Sequence, residues 1–102
     1  MIHVVAVLTT RPGQRGEVLE HFRAIVPAVH AEQGCIEYGA AVDANPALPV
    51  QTSYGQDTFV VIEKWESMDA LAAHGEAAHM RAFGAKVKDL LAGRAVHVLS
   101  PI

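Results

Sequence analysis

The stretch Thr58–Phe83, TFVVIEKWESMDALAAHGEAAHMRAF, decides how this chain folds. It begins as an apolar strand ending in the sequence EKW, continues through a capped helix, and carries His74 and His79 on either side of a glycine. A carboxylate, an indole and two imidazoles therefore share a segment made largely of Val, Ile, Leu and Ala. Such groups in apolar surroundings tend to have shifted proton affinities, so the segment predicts a reaction pocket.

The residues before this stretch predict a strand, a helix and a second strand. Ile2–Thr10 is rich in β-branched residues and ends at a Pro-Gly turn, which favours a strand. Gly16–Glu32 has helical spacing of its apolar residues, and Pro27 within it should bend the helix. Gly34 is the expected left-handed end of that helix, and Ile36–Val42 is the next strand.

A long connection over Asp43–Gln56 then leads into the strand Thr58–Trp65, and it is a candidate lid for a pocket. Ser67 is a good N-cap for a helix that we expect to end at Gly75. The second part of that helix presents one apolar face, and Ala95–Leu99 forms the last strand; the face consists of Met80, Phe83, Val87 and Leu90.

The predicted order is β-α-β-β-α-β, which is the α+β, ferredoxin-like arrangement of a four-stranded antiparallel sheet. Residues 1–102 form a single domain at this length. One sheet face stays bare of helices, although the strand Thr58–Trp65 is apolar on both sides. We therefore expect a homodimer in which a second copy covers this face.

Composition narrows the classes of function. Eight basic residues against 11 acidic ones give a net charge of −3, which disfavours nucleic acid and anionic membrane surfaces as partners. The N-terminal apolar run is too short to span a bilayer and lacks the order of a secretory signal. Cys35 is the single cysteine, so no intrachain disulfide can form and a reducing cytoplasm is expected.

Several short motifs follow one another along the chain. They are EQGC with a tyrosine three residues later (Glu32 to Tyr38), IEKWES (Ile62 to Ser67), Leu71-x-x-His74 and His79-Met80, preceded by RPGQ and IVP nearer the start. Together they resemble the antibiotic biosynthesis monooxygenase family of dimeric α/β barrels, and within it the bacterial quinol monooxygenases. The likeness extends over nearly the whole chain.

The resemblance implies that dioxygen is the co-substrate and that a small dihydroxyaromatic, such as a quinol, is oxidised without metal, flavin or haem. The family also contains haem-degrading enzymes, anthrone oxygenases and a sugar-phosphate isomerase, and fold alone does not choose among them. At three positions that the haem-degrading members use, this chain departs from their pattern; these are Ala6, His74 and Gly84.

The anthrone-oxidising members line their pocket with an asparagine, a tryptophan, a tyrosine and an arginine. Trp65 and Arg81 match that pattern, whereas Val61 and Leu71 depart from it. The resemblance therefore carries over the location of the pocket and does not favour an anthrone as the substrate.

The chemistry needs a base with a proton affinity near neutrality, and histidine supplies one. We expect His74 or His79 to accept a proton from the substrate and Arg81 to stabilise the resulting anion. The remaining predicted binding residues are Trp65 as an aromatic wall, Glu63 as a group that orients a histidine or a hydroxyl, and Phe83.

Each of these residues also has a structural interpretation. Trp65 can be an ordinary core residue, His74 can interact with a helix end, and Glu63 can belong to a structural pair. Arg81 can be an exposed helix residue, and Glu32 can serve a helix end or an interface. A metal site of two histidines with Glu63 is a further alternative, although no metal is expected.

Two other functions stay open at this level. One is isomerisation of a small phosphorylated signalling metabolite, for which Arg81 and Lys64 are the nearby cations. The other is a non-catalytic dimeric module that binds aromatic compounds.

Overall fold

The sheet and helices follow the predicted order along the chain. A computed structural model describes residues 1–102. The strands are β1 (Ile2–Thr10), β2 (Cys35–Ala41), β3 (Thr58–Trp65) and β4 (Leu91–Leu99), and the helices are α1 (Arg15–His30), α2 (Met68–Glu76) and α3 (Ala78–Val87). None of the three helices combines the length and the apolar character that a membrane span requires.

The four strands form one antiparallel sheet in the order β2-β3-β1-β4, which is the ferredoxin-like topology expected from the sequence. β1 lies at the centre, where Val4 pairs with Glu63 on one side and with Val98 on the other. Because side chains alternate across a strand, these three residues point to the same face of the sheet.

The core lies between that face and the helices. α1 presents Val18, Phe22 and Val29 to it, as its periodicity predicts. On the sheet side, the largest fully buried residues are Trp65 and Phe59 of β3. The helix continues through Pro27 to His30, so the proline does not end it.

Two predicted boundaries were wrong. The break between α2 and α3 lies at Ala77, whose extended backbone (φ −65°, ψ 141°) interrupts the helical path, while Gly75 remains inside α2. Glycine weakens a helix without ending it, since its backbone can still adopt helical angles. β4 begins at Leu91, four residues before the predicted start, and runs through Gly93.

The face of the sheet that the helices leave uncovered is called the open face below. It includes Val5 and Val7 of β1, Ile62 of β3, and Leu99 of β4, which is 50% exposed. Apolar side chains on an uncovered sheet face indicate contact with another surface.

The connection between β2 and β3 is folded back on itself. Both carboxylate oxygens of Asp43 accept backbone hydrogen bonds, from Tyr54 at 2.9 Å and from Gly55 at 2.8 Å. These bonds hold the pKa of Asp43 below its usual value. None of the residues from 43 to 56 lines the main cavity of the chain, so the expectation of a lid is not met.

Candidate active site

A cavity of about 640 Å³ opens between the sheet and the helices α2 and α3. Thirteen of its 21 lining residues are hydrophobic, which is typical of a small-molecule site. The apolar lining comes from strands and helices alike and includes Val4, Ala6, Leu71, Met80, Phe83 and Val87. We call this space the cavity.

The imidazole of His74 lies on the cavity wall and is held from three sides. Its Nδ1 lies 2.9 Å from Oε2 of Glu32. The ring centroid lies 4.6 Å from that of Trp65 and 5.4 Å from that of Tyr38. His74 is only 6% exposed and lines the cavity, and its remaining ring nitrogen, Nε2, has no hydrogen-bond partner in the protein.

The same oxygen of Glu32 also meets His79, whose Nε2 lies 2.8 Å away. On one continuous helix, residues five apart point about 140° away from each other. The break at Ala77 redirects α3, so that His74 near the end of α2 and His79 near the start of α3 reach one atom.

Glu32 reaches the histidines because the turn after α1 is packed tightly against α2. Gly34 in that turn has φ +86°, and a Cβ at this position would lie 2.5 Å from the Cβ of Ala70. The carbonyl of Gly34 also accepts a hydrogen bond of 2.8 Å from the backbone of Glu66. Only glycine combines this backbone angle with so close an approach.

Glu63 lies on the floor of the cavity and accepts a hydrogen bond of 2.9 Å at its Oε1 from the indole Nε1 of Trp65. Its side chain is buried, and burial raises the pKa of its carboxyl. The bond from Trp65 and the charge of His74 act in the opposite direction. Glu63 forms no hydrogen bond with either histidine, and its Oε1 holds the indole of Trp65 in place.

Tyr38 of β2 adds a hydroxyl to the cavity lining. Its ring stacks on Phe22 at 5.3 Å between centroids. Burial, with smaller contributions from the charges of Glu63 and Glu32, raises the pKa of Tyr38 well above its usual value. The hydroxyl therefore keeps its proton and can donate a hydrogen bond.

Apart from the basic side chains, three side-chain polar atoms of the lining residues have no hydrogen-bond partner in the protein: Nε2 of His74, Oε2 of Glu63 and the hydroxyl of Tyr38. Every fully buried side-chain nitrogen and oxygen of the chain does have a partner. These three atoms are therefore accessible, and they are available to a guest in the cavity.

The other predicted site residues fall into two groups. Phe83 lines the cavity as expected, and Arg81 lies at its rim, where its exposed guanidinium pairs with Glu76 at 2.6 Å. Trp65 and His79 do not line the cavity. Trp65 is completely buried behind His74, so the expected aromatic wall is formed by Phe83 and Tyr38 instead.

Sequence reasoning missed two residues. Tyr38 was noted only as part of a motif, although its alternation along β2 could have placed it on the helix side of the sheet. Glu32 was assigned to a helix end or an interface, and 42 residues separate it from His74. No local pattern reports a contact over that distance.

The two histidines meet the carboxylate of Glu32 and not that of Glu63, which the metal alternative required. Both ring nitrogens approach one carboxylate oxygen at hydrogen-bonding distance. The arrangement matches hydrogen bonding between donors and an ionised acceptor.

Comparison with known proteins relates this geometry to a family. The model of the family "Antibiotic biosynthesis monooxygenase" matches residues 1–86. The "Probable quinol monooxygenase YgiN" of Escherichia coli is 40% identical over 103 residues, which cover 99% of this chain and 98% of that protein.

Solved structures agree with this relation. PA3566 from Pseudomonas aeruginosa superimposes with a TM-score of 0.82 at 25% identity, covering 99% of this chain and 93% of that one. Rv0793 from Mycobacterium tuberculosis gives a TM-score of 0.81 at 27% identity, covering 99% and 94%. The family and the relative named above support monooxygenase activity in general, and the chain belongs to the antibiotic biosynthesis monooxygenase family.

Proposed function

We propose that the protein is a cofactor-independent monooxygenase that oxidises a quinol or a related dihydroxyaromatic with dioxygen. The observation that carries this proposal is the imidazole of His74, fixed by Glu32 in the wall of a largely apolar cavity with Nε2 unpaired. The name of the Escherichia coli relative supports the choice of a quinol. A cytoplasmic location belongs to the same proposal.

The three unpaired polar atoms suit a dihydroxyaromatic guest. Nε2 of His74 and Oε2 of Glu63 can accept hydrogen bonds from two hydroxyl groups. The hydroxyl of Tyr38 can donate one to a developing oxyanion, because its pKa is raised and it keeps its proton. Phe83, Met80 and Leu71 supply apolar surface for the ring.

Proton removal would prepare the substrate for dioxygen. Dioxygen reacts slowly with closed-shell molecules because its ground state is a triplet, whereas a quinolate can transfer one electron and then recombine with the reduced oxygen. One oxygen atom enters the ring and the other leaves as water. The quinol supplies all the electrons, so the overall reaction requires no external reductant.

Three of the remaining residues have roles in this proposal. Arg81 at the rim can release Glu76 and stabilise an anionic product or intermediate. Trp65 supports the ring of His74 from behind and is itself held by Glu63. His79 acts with Glu32 and not on the substrate, since it does not line the cavity.

The same proposal includes a homodimer. The open face carries apolar side chains from β1, β3 and β4, including Val5, Val7, Ile62 and the half-exposed Leu99. A second copy of the chain can bury this face by a two-fold arrangement, in which each face is its own complement. Covering the sheet would also protect the cavity floor from bulk water.

A second candidate function has one observation in its favour. Lys88 and Arg94 belong to the cavity lining and form no ion pair, so they add positive charge to it. Such a charge suits a small phosphorylated metabolite, which an isomerase would bind. The largely apolar lining favours the aromatic substrate instead.

The test is oxygen consumption by chelator-treated protein with reduced menadione, other naphthohydroquinones and anthrones. We expect uptake with a quinol that is unaffected by the chelator and that falls at least about 100-fold in His74→Asn. His21→Asn on α1 is the matched control, because His21 does not line the cavity. Wild-type turnover by both His74→Asn and His79→Asn would overturn the assignment, and tight binding of aromatics without uptake would indicate a non-catalytic module.

A further inference from the structure

The hydrogen bonds to Glu32 indicate which ring nitrogens of His74 and His79 are protonated. Nδ1 of His74 and Nε2 of His79 share one acceptor, Oε2 of Glu32, at 2.9 and 2.8 Å. An ionised carboxylate accepts hydrogen bonds and cannot donate them. Both of these ring nitrogens must therefore carry hydrogen, and they are different nitrogens in the two rings.

We propose that Glu32 is a positioning residue that fixes opposite tautomers of the two histidines and thereby makes His74, and not His79, the proton acceptor of the active site. This inference rests on the proposed function. In its neutral form His74 is the Nδ1–H tautomer with a free lone pair on Nε2, and His79 is the Nε2–H tautomer.

Only the lone pair of His74 is useful to a substrate. Its Nε2 has no partner in the protein and belongs to a residue that lines the cavity. The free nitrogen of His79 is Nδ1, on a side chain that does not line the cavity and is 27% exposed. Proton transfer to His79 would therefore lead towards solvent and away from the cavity.

The proton transfer involves the substrate hydroxyl, His74 and Glu32. The O–H bond of the substrate breaks, its proton forms a bond with Nε2 of His74, and the electron pair stays on the substrate oxygen. His74 becomes an imidazolium, and its positive charge lies 2.9 Å from the negative charge of Glu32. Because the Glu32 side chain is only 14% exposed, this compensation is weakly screened.

His79 has a definite part in this arrangement. A carboxylate that is largely removed from water needs hydrogen-bond donors to remain ionised. His79 supplies the second donor and so holds the carboxylate of Glu32 in place. His79 is therefore a positioning residue that acts on His74 through Glu32. Its loss should weaken the orientation of His74 without removing His74 as the proton acceptor.

A purely structural role for Glu32 would lead to a different expectation. If Glu32 only tied the turn after α1 to the helices, any uncharged hydrogen-bonding residue would serve as well, and the tautomers would be irrelevant to turnover. The imidazole is already packed between Trp65 and Tyr38, which fixes its plane without Glu32. What these rings cannot fix is which nitrogen carries the proton.

The first experiment reads the tautomers directly. Long-range proton–nitrogen correlation spectra of the full chain with ¹⁵N-labelled histidine, recorded above neutral pH, distinguish protonated from unprotonated ring nitrogens. We expect hydrogen on Nδ1 of His74 and on Nε2 of His79, with signals assigned by His74→Asn and His79→Asn. His21 of α1, which forms no hydrogen bond and lies away from both the cavity and the open face, provides an internal reference. Finding Nε2–H on both His74 and His79 would overturn the inference.

The second experiment links the tautomer to turnover. Glu32→Gln keeps the shape of the side chain, removes its charge, and can place its NH₂ group against an imidazole nitrogen. We expect His74 to lose its single tautomer and kcat to fall about 100-fold or more, with KM nearly unchanged because Glu32 does not line the cavity. His79→Asn should lower kcat about 10-fold. Glu66→Gln is the matched control, since Glu66 is exposed and makes no ion pair.

The two sets of results separate this inference from the proposed function. If no quinol supports oxygen uptake while the spectra give opposite tautomers, the function fails and the role of Glu32 in fixing protons stands. If uptake occurs and Glu32→Gln turns over as fast as wild type, the inference fails and the function stands.

Discussion

Nε1 of Trp65 lies 2.9 Å from Oε1 of Glu63, and both side chains are buried on the helix side of β3. Burial is the largest influence on Glu63 and raises its pKa above that of the unfolded chain. The folded state therefore binds this proton more tightly. Its contribution to stability is complete below the unfolded pKa and is lost as the pH rises through the folded value.

Glu63→Gln should remove this pH dependence. Glutamine keeps an oxygen that can accept the indole hydrogen bond and has no proton to titrate. We expect the free energy of unfolding of the variant, relative to wild type, to rise from acid to neutral pH, because only the wild type loses the contribution of the Glu63 proton. Urea unfolding across this range measures it, with the exposed Glu20→Gln as control. A difference that does not vary with pH would contradict the raised pKa.

Trp65→Phe should destabilise the chain through Glu63. The substitution leaves Oε1 of Glu63 without its donor in a buried position, at a cost of about 1–3 kcal/mol, in addition to the loss of packing. In a Glu63→Leu background there is no acceptor to leave unpaired, so Trp65→Phe should cost less there. A double-mutant cycle by chemical denaturation checks this. Equal costs in the two backgrounds would show that the hydrogen bond contributes nothing.

Gly34→Ala should damage both stability and turnover. The new Cβ would be strained at φ +86° and would collide with Ala70, for a loss of about 2 kcal/mol or more. Moving the turn would also displace Glu32 from the histidines, so kcat should fall. Gly16→Ala is the matched control, because Gly16 is exposed on α1 with nothing within 4 Å, and it should stabilise by up to about 1 kcal/mol.

Ala70→Gly offers a rescue that isolates the collision. In the Gly34→Ala background it removes the opposing Cβ and should recover part of the stability, while the backbone strain at residue 34 remains. Denaturation midpoints of the single and double variants measure the recovery. No recovery would assign the whole effect to the backbone angle.

Ile62→Asp should convert the proposed dimer into a monomer. Ile62 lies half-buried on the open face, where a charge in an apolar interface is costly. Sedimentation analysis should give a dimer for wild type and a monomer for the variant. Val50→Asp is the control, since Val50 is 89% exposed in the connection between β2 and β3. A wild-type monomer at micromolar concentration would contradict the proposed assembly.

Local patterns were sufficient for most of the fold. The β-branched runs predicted β1 and β3 with their observed bounds, and the apolar periodicity of α1 identified its buried face. The Ser67 cap was also correct, since its hydroxyl accepts a hydrogen bond of 3.1 Å from the backbone of Ala70. These features depend on residues that are close in sequence, so they can be predicted from local sequence patterns.

The errors arose where tertiary contacts override local preference. The helix break fell at Ala77 although Gly75 is the weaker helix former, because α3 must turn to pack on α1. β4 starts early because Leu91 pairs with Thr10 of the central strand. In the same way, the contact of Glu32 with two histidines is set by how the turn after α1 docks, and no short motif encodes it.

Trp65 has one more consequence for the study of this molecule. It is the single tryptophan of the chain, fully buried, with its indole next to the imidazole of His74. A protonated imidazole quenches indole emission, so the intrinsic fluorescence of the unmodified protein reports the charge of the proposed base. Ligand occupancy, unfolding and protonation can therefore all be followed optically, without attaching a dye.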